Sequence, residues 1–366
     1  MTPDPLAVPT PLHTIADKAS SLYERLEGPY ELAPGSAAGE EAIARWRKLA
    51  AQEDEARFNE RLAHAGWDLA TLTRALSAPP RQKTGPLPAW TETLAQALQK
   101  AAPSKAAPTS PARVPDAPPK PFQELLGFFV EVASERLSER AGDRLHLLSE
   151  SARRTFDEQL MTHLVETAGQ TLLKEFAIFR HFRTMGLFFP GLNVGSTKHY
   201  DAFVRQHLET GLQKLFEDYP VLGRLLAIAV EDWVDATTEF LSHLEADWEA
   251  LSQTFAPWGL RQVTHIELGL SDRHQAGRSV IKLNFDGSLP LVYKPRDLGM
   301  EAAYNALLAW INAHGEAEGL DQLRVLGVLD RGTHGWMEAA VAMPCRDDED
   351  VRRYYRRAGM LIALVH

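Results

Sequence analysis

The chain has 366 residues, 45% of them hydrophobic and 24% charged, and a formal net charge of −10 at pH 7. This composition is that of a globular protein long enough for more than one core, and its negative charge disfavours nonspecific binding to nucleic acid or to anionic membranes. The single cysteine, Cys345, excludes an internal disulfide and fits a reducing compartment.

The N-terminus lacks the charged head and apolar run of a signal peptide, and the longest fully apolar run, 225–230, is too short to cross a bilayer. No cysteine and histidine residues stand at zinc-binding spacing. We therefore expect a cytoplasmic protein without a transmembrane segment, and the sequence predicts no metal site of its own.

Helix-like apolar periodicity runs through most of the first 256 residues. The pattern predicts an N-terminal helical region (1–78), a Pro/Ala-rich linker (79–121) and a second helical region (122–256). The composition of the linker favours a loose segment, although its stretch PAWTETLAQALQKA predicts one helix. We interpret the helices as a packed scaffold, because few of their polar residues converge.

A different pattern begins at Pro257. The segments with strand character are 262–270, 279–285, 289–294, 323–330 and 334–343. A helix that Asp297 caps and Gly315 ends follows the third strand, and a last helix begins near Asp347. The apolar stripe of the first of these helices consists of Met300, Tyr304, Leu307, Leu308 and Ile311.

This order of elements is that of a kinase small lobe followed by the first helix of a large lobe. The sequence therefore predicts an α+β fold, with a five-stranded antiparallel sheet and one helix in a small lobe at 257–343. Residues 344–366 would begin the large lobe.

The candidate phosphate-binding cation is Lys294, at the end of the third strand, because phosphoryl transfer requires positive charge on the phosphates. Glu301, on the following helix, is its candidate partner. A lysine extending into water and an acid favoured by the helix dipole would give the same local sequence. Met337 and Glu338 occupy the position where a kinase hinge meets adenine.

The loop between the first two strands would cover the phosphates. It has no G-x-G-x-x-G motif around Gly277, so side chains are expected to replace backbone N–H donors. Arg278 and Ser279 could donate to phosphate oxygens, and His274 could donate or take up a proton near neutral pH. Asp272 could orient His274 or a metal ion. An ordinary surface hairpin loop is the alternative.

The segment LPLVYKPRDLGMEAAYNALLAWIN resembles the Tyr-Lys-Pro-Arg block of the class II lanthipeptide synthetases, the LanM family. Over about 165–366, further segments stand in the order of that family: TLLKEFAIFR, LFEDYPVLGRLL, LSDRHQAGRSV, HGWMEAAVAMPC and YYRRAGMLIALVH. The stretch AIARWRKLAAQEDEARFNERLA is similar to the start of the family.

The resemblance implies the N-terminal part of a lipid-kinase-like dehydratase domain, with Asp272, His274 and Lys294 at active-site positions and 122–256 as a kinase-activation and support region. Family members use ATP and Mg²⁺ to phosphorylate Ser and Thr of a ribosomally made precursor peptide with a leader. They then eliminate phosphate to give dehydroalanine and dehydrobutyrine, and a C-terminal zinc cyclase forms thioether rings.

The sequence departs from the family pattern, because the large-lobe Asp-x-His-x-x-Asn segment, the metal-binding Asp, the elimination residues and the cyclase are absent. The last helix also keeps its apolar stripe to its final turn. We therefore expect a synthetase truncated before the large lobe and inactive alone. Its Mg²⁺ and zinc ligands would lie in the missing part, and the remainder of the synthetase would be a partner.

Two alternatives remain open at the level of the sequence. The first is a non-catalytic peptide- or partner-binding module with a degenerate kinase-like lobe. The second is an unrelated small-molecule kinase, which would bind ATP without needing a peptide.

Overall fold

A computed structural model of the chain describes residues 10–28, 30–77, 81–82, 86–102, 119–185, 197–256, 259–270, 277–285, 290–315, 319–340 and 342–364. The chain forms two compact units. The first lies within Met1–Val132 and His163–Glu231, and the second within Ala133–Thr162 and Asp232–His366. The boundaries predicted at 78, 121, 256 and 343 stay a prediction.

Most of the described residues are helical. The helices are α1 (Thr10–Ala19), α2 (Leu22–Glu27), α3 (Ala37–Ala51), α4 (Glu55–Ala65), α5 (Leu69–Ser77), α6 (Trp90–Lys100), α7 (Gln123–Ala141), α8 (Glu150–Met185), α9 (Lys198–Glu209), α10 (Gln213–Asp218), α11 (Pro220–Ala246), α12 (Trp248–Phe255), α13 (Gly299–Gly315) and α14 (Asp348–Leu364). The strands are β1 (Tyr30–Glu31), β2 (Arg81–Gln82), β3 (Val263–Glu267), β4 (Ile281–Phe285), β5 (Leu291–Lys294), β6 (Val328–Asp330) and β7 (Gly335–Glu338).

The described part of the first unit is helical, apart from the short β1–β2 pair. Helix α2 begins at a side-chain cap: the Ser21 hydroxyl accepts from the N–H of Glu24, whose carboxylate accepts in turn from the N–H of Ser21. A core of Ile43, Phe58 and Leu72 holds α3, α4 and α5 together. Apolar residues at helical spacing predict this arrangement, in which one face of each helix is buried in a core and the other is exposed.

Helix α6 confirms the one helix predicted inside the Pro/Ala-rich segment. Trp90, Leu94 and Ala97 of α6 are buried, and α6 packs against α1 within the first unit. This part of the segment is therefore packed and not loose. Its apolar stripe provides side chains that can be buried, and the Pro/Ala-rich residues on either side provide few. Residues 103–118 lie outside the described residues.

The second unit contains a five-stranded sheet in the order β3-β4-β5-β7-β6, and every neighbouring pair of strands is antiparallel. The predicted α+β class and five-stranded antiparallel sheet are thus confirmed. Lys294 ends β5, the third strand of the sheet, as predicted.

The register assigns the side chains of this sheet to two different faces, because successive residues of a strand point to opposite sides. One face is buried and consists of large apolar residues: Ile266, Ile281, Leu283, Leu291, Tyr293 and Trp336. The other face is partly exposed and carries Lys282, Val292, Lys294 and Met337. The candidate lysine and the candidate hinge methionine therefore share one face.

Helix α13 begins as predicted, because the Asp297 carboxylate accepts from the N–H of Gly299 at 2.9 Å, and it ends at Gly315. Its predicted apolar stripe is only partly buried: Leu308 is 4% exposed, whereas Met300 is 81% exposed. Helix α14 begins at Asp348, one residue after the predicted start, and none of its described side chains is buried.

None of the helices among the described residues has the length and apolarity needed to cross a membrane. No group of three or more histidine, cysteine, aspartate or glutamate side chains in this part of the chain is arranged to hold a metal ion.

A partly buried carboxyl group on α8 is a source of pH-dependent stability. Burial is the main cause that raises the pKa of Asp157, from 3.8 to about 6, although Ser134 donates a hydrogen bond to it at 3.1 Å. The folded state therefore binds this proton more tightly than the unfolded state. The protonated group contributes stability that is lost as the pH rises from about 4 through about 6.

We predict that Asp157→Asn raises the free energy of unfolding by about 1–2 kcal/mol at pH 7.5, because the amide removes the cost of a partly buried charge. The gain should disappear near pH 4, where the carboxyl is already neutral. Urea unfolding at both pH values measures the difference, and Glu150→Gln on the same helix, whose side chain is 78% exposed, is the control. A loss of stability at pH 7.5 would contradict the prediction.

Candidate functional site

The structure brings the predicted lysine and glutamate together. Nζ of Lys294 donates to Oε1 of Glu301 at 3.1 Å, and the two side chains are only 21% and 19% exposed. The contact forms because β5 ends at Lys294 and the Asp297 cap starts α13 a few residues later, which places the first turn of α13 beside the strand end. The lysine is therefore held by an ion pair and does not extend freely into water.

A second cation, which the sequence analysis did not single out, shares this carboxylate. Arg296 forms a bidentate pair with Glu301: Nη1 donates to Oε2 at 3.2 Å, and Nη2 contacts Oε1. The hydrogen bond from Arg296, followed by that from Lys294, lowers the pKa of Glu301 to about 2. Glu301 is thus an anion throughout the physiological pH range, and it orders both cations. The Pro-Arg dipeptide directly after Lys294 is the sequence signal that could have identified Arg296 as a site residue.

A cavity of about 700 Å³ lies next to this ion cluster. Its volume is within the range of small-molecule sites, which are mostly apolar with a few polar groups. The apolar lining residues include Met300, Leu308, Leu326, Met337 and Leu361, and the charged ones are Arg296, Glu301, Arg324 and Arg357. The cavity therefore combines an apolar wall with an excess of positive charge.

The residues predicted to cover the phosphates lie elsewhere in the second unit. Gly277, Arg278 and Ser279 line a separate cavity of about 30 Å³, which is the size of one water molecule. Nε of Arg278 donates to Glu239 on α11 at 2.7 Å. The structure does not group these three residues with Glu301 and Met337 around the larger cavity, and their phosphate-binding role stays a prediction.

A glycine is required at 277. Its φ angle is +83°, and a Cβ atom there would lie 3.2 Å from the Cβ atom of Asp232. Asp272 and His274, the predicted catalytic residues of the same loop, lie outside the described residues.

The predicted hinge residues lie inside the sheet. Met337 pairs with Val292 on one side and with Val328 on the other, and its side chain lines the larger cavity. The N–H of Glu338 donates to the carbonyl of Gly327 at 3.0 Å. An adenine ring could use this N–H only if that bond opened, and the adenine-binding role of Met337 and Glu338 stays a prediction.

A buried polar network was missed by the sequence analysis. The Asp247 carboxylate, between α11 and α12, is 1% exposed. It accepts hydrogen bonds from Nε2 of His334 and from Nε1 of Trp336, each at 2.8 Å, and it forms an ion pair with Arg331, whose Nε lies 2.8 Å from Oδ1. All three partners belong to the turn and strand around β7. The network therefore ties β7 to the end of α11, and the buried carboxylate has polar partners.

The same network reaches β5 through an aromatic stack. The rings of His243 and His334 stack at 3.6 Å, and Nδ1 of His243 lies 2.9 Å from the hydroxyl of Tyr293. Burial, and then the neighbouring His334, lowers the pKa of His243, which favours the uncharged form of that imidazole. Because Tyr293 precedes Lys294, this contact fixes the strand that carries the candidate lysine.

Comparisons with known proteins match the part of the chain that carries this site. The family described as "Domain of unknown function (DUF4135)" matches residues 219–366, which include Asp247, the sheet, Lys294 and the larger cavity. The lacticin 481/lactococcin biosynthesis protein LcnDR2 of Lactococcus lactis subsp. lactis is 22% identical over 184 residues. The match covers 48% of this chain and 20% of that protein, so the chain spans about a fifth of the length of this curated relative.

These two matches confirm the resemblance stated from the sequence. Over the matched residues, the chain is similar to the class II lanthipeptide synthetases.

We predict that Asp247→Ala lowers the free energy of unfolding of the second unit by about 3–5 kcal/mol, because it leaves buried donors without their acceptor. The control is Asp235→Ala on α11, which removes an ion pair with Arg140 whose side chains are 61% and 51% exposed. That change should cost about 1 kcal/mol or less. Urea unfolding followed by tryptophan fluorescence measures both, and equal losses for the two variants would contradict a special role of Asp247.

Proposed function

We propose that this chain acts in lanthipeptide biosynthesis as the N-terminal part of a class II synthetase dehydratase. In this proposal a kinase-like lobe binds ATP for phosphorylation of Ser and Thr in a precursor peptide, and elimination of phosphate then gives dehydroalanine and dehydrobutyrine. The two matches to known proteins support the pathway. The observation that supports the ATP-dependent step is the Lys294–Glu301 pair beside a cavity of about 700 Å³.

The lysine–glutamate pair fits phosphoryl transfer for a physical reason. Catalysis of this reaction depends on positioning and on positive charge at the phosphates, and kinases hold a strand lysine with a glutamate of the following helix. Here Lys294 ends the third strand of the sheet, and Glu301 lies on the first turn of the next helix. In a partly desolvated site, a fixed ammonium group interacts with a phosphate more strongly than it would in water.

The residues around the cavity fit a nucleotide. Met337, Leu326 and Leu308 would form the apolar wall for the base. Arg296, which lines the cavity, would face the phosphates, and Lys294 would reach them from beside Glu301. Bound ATP would supply the transferable phosphoryl group. The residues of this chain would bind it, orient it and exclude water from it.

The described residues do not fit Mg²⁺ in the same way. No group of three acidic, histidine or cysteine side chains among them is arranged to hold an ion. Glu301, the acid among the residues that line the cavity, is already bound by Lys294 and Arg296. None of the described residues is therefore assigned as a Mg²⁺ ligand or as a general base.

We predict that Lys294→Met weakens binding of a fluorescent ATP analogue at least tenfold, which corresponds to about 1.4 kcal/mol. The matched control is Lys282→Met, because Lys282 lies on the same face of the sheet and is also ion-paired, but with Glu267 at 2.8 Å and not with Glu301. The control should change the dissociation constant less than twofold. Fluorescence anisotropy titrations measure both constants, and thermal unfolding checks that the variants are folded.

Three outcomes would contradict this proposal. The unaltered chain would fail to bind the ATP analogue, or the Lys294 and Lys282 variants would lose binding equally. In the third, the chain would bind a precursor peptide but no nucleotide, which would favour the non-catalytic binding module.

A further inference from the structure

The larger cavity is lined by more positive charge than its one carboxylate can neutralise. Arg296, Arg324 and Arg357 come from three different segments of the chain, and Glu301 is the acid among the lining residues. Glu301 is already bidentate with Arg296 and bonded to Lys294. Arg324 and Arg357 therefore gain little from it, and an apolar cavity with this charge excess favours an anionic ligand that has an apolar part.

Arg357 differs from the other arginines of α14. Arg352 pairs with Glu349, Arg353 with Asp350, and Arg356 with Asp321 and Glu349. Arg357 has no carboxylate partner among the described residues, and its Nε atom is buried without a hydrogen-bond acceptor. It is instead one of the residues that line the cavity.

A buried Nε–H without an acceptor is costly, because this donor has lost its water and gained nothing in return, although the Arg357 side chain as a whole is only partly buried. Such a donor in a cavity wall is satisfied when a ligand brings an oxygen acceptor. Arginine suits phosphate in particular, because its planar fork donates two parallel hydrogen bonds to phosphate oxygens. Arg324, which is exposed and has no side-chain partner among the described residues, adds a second positive group to the same cavity.

We propose that Arg357 and Arg324 are phosphate-binding residues of this cavity and that its ligand is a nucleoside triphosphate held from two sides. Lys294 and Arg296 would hold it from the β5–α13 junction, and Arg357 would hold it from α14. This inference rests on the proposed nucleotide binding and adds to it the role of α14. In this arrangement α14 closes the cavity wall and is part of the binding site.

The test is a binding titration of the full chain with two probes, a fluorescent ATP analogue and inorganic tripolyphosphate. Arg357→Gln should weaken binding of both probes at least tenfold, and Arg324→Gln should weaken it at least threefold. The matched control on the same helix is Arg352→Gln, because the Arg352 side chain is 72% exposed and faces Glu349. Its dissociation constants should stay within twofold of those of the unaltered chain.

Thermal unfolding separates ligand binding from a structural role. Arg357→Gln should leave the unfolding temperature unchanged or raised, since it removes a buried donor that has no partner, whereas a structural arginine would lower that temperature when replaced. Arg357→Lys, which keeps the charge without the fork, should bind tripolyphosphate with intermediate affinity. A lower unfolding temperature together with unchanged binding would overturn the inference.

The pattern of results also separates this inference from the proposed function. If Lys294→Met weakens ATP binding but the Arg357 and Arg324 variants do not, the role of α14 is wrong and nucleotide binding stands. If tripolyphosphate binds through Arg357 while the ATP analogue does not bind at all, the anion site stands and the proposed function fails. If neither probe binds the unaltered chain, both are overturned.

Discussion

The candidate site depends on the alternation of two neighbouring residues of β5. Tyr293 is 3% exposed on the buried face of the sheet, where it contacts His243, Phe240 and Trp336. Because the side-chain period of a strand is two, Lys294 must then point to the opposite face, where Glu301 receives it. A slip of one residue would bury the lysine among aromatic rings. The contacts that hold the tyrosine therefore also set the direction of the lysine.

Asp247 extends this constraint to the neighbouring strand. Its carboxylate fixes Trp336 and His334 of the β7 hairpin, and the stacked imidazoles connect that hairpin to Tyr293. β5 and β7 pair directly, with Tyr293 opposite Trp336, so the contacts of one buried carboxylate support the pairing of the two strands that carry Lys294 and Met337. The polar network is thus part of the positioning of the site, although none of its members lines the larger cavity.

Features that depend on local sequence pattern could be predicted from the sequence, whereas contacts between residues far apart in the chain could not. The five strands, the Asp297 cap and the Lys294–Glu301 pair lie within short stretches whose periodicity and turn signals are readable. Asp247, in contrast, is 87 and 89 residues from the histidine and tryptophan that bind it, and no local signal marks it. The position of Arg278 could not be predicted for the same reason. Its partner Glu239 is 39 residues away, on a helix that the sequence indicated to be part of the helical scaffold.

The electrostatics of the cluster explain why a lysine and an arginine stand so close together in the sequence. Two cations at positions 294 and 296 would repel each other in a partly buried site, but Glu301 accepts from both, and its lowered pKa shows how strongly they stabilise its charge. The cluster keeps one net positive charge, ordered and facing a cavity. An ordered cation loses less entropy on binding an anion than a flexible cation does. The Glu301 carboxylate therefore lowers the entropic cost of anion binding by Lys294, although it neutralises part of the positive charge. For this reason the glutamate and the lysine together make the end of β5 the candidate phosphate site.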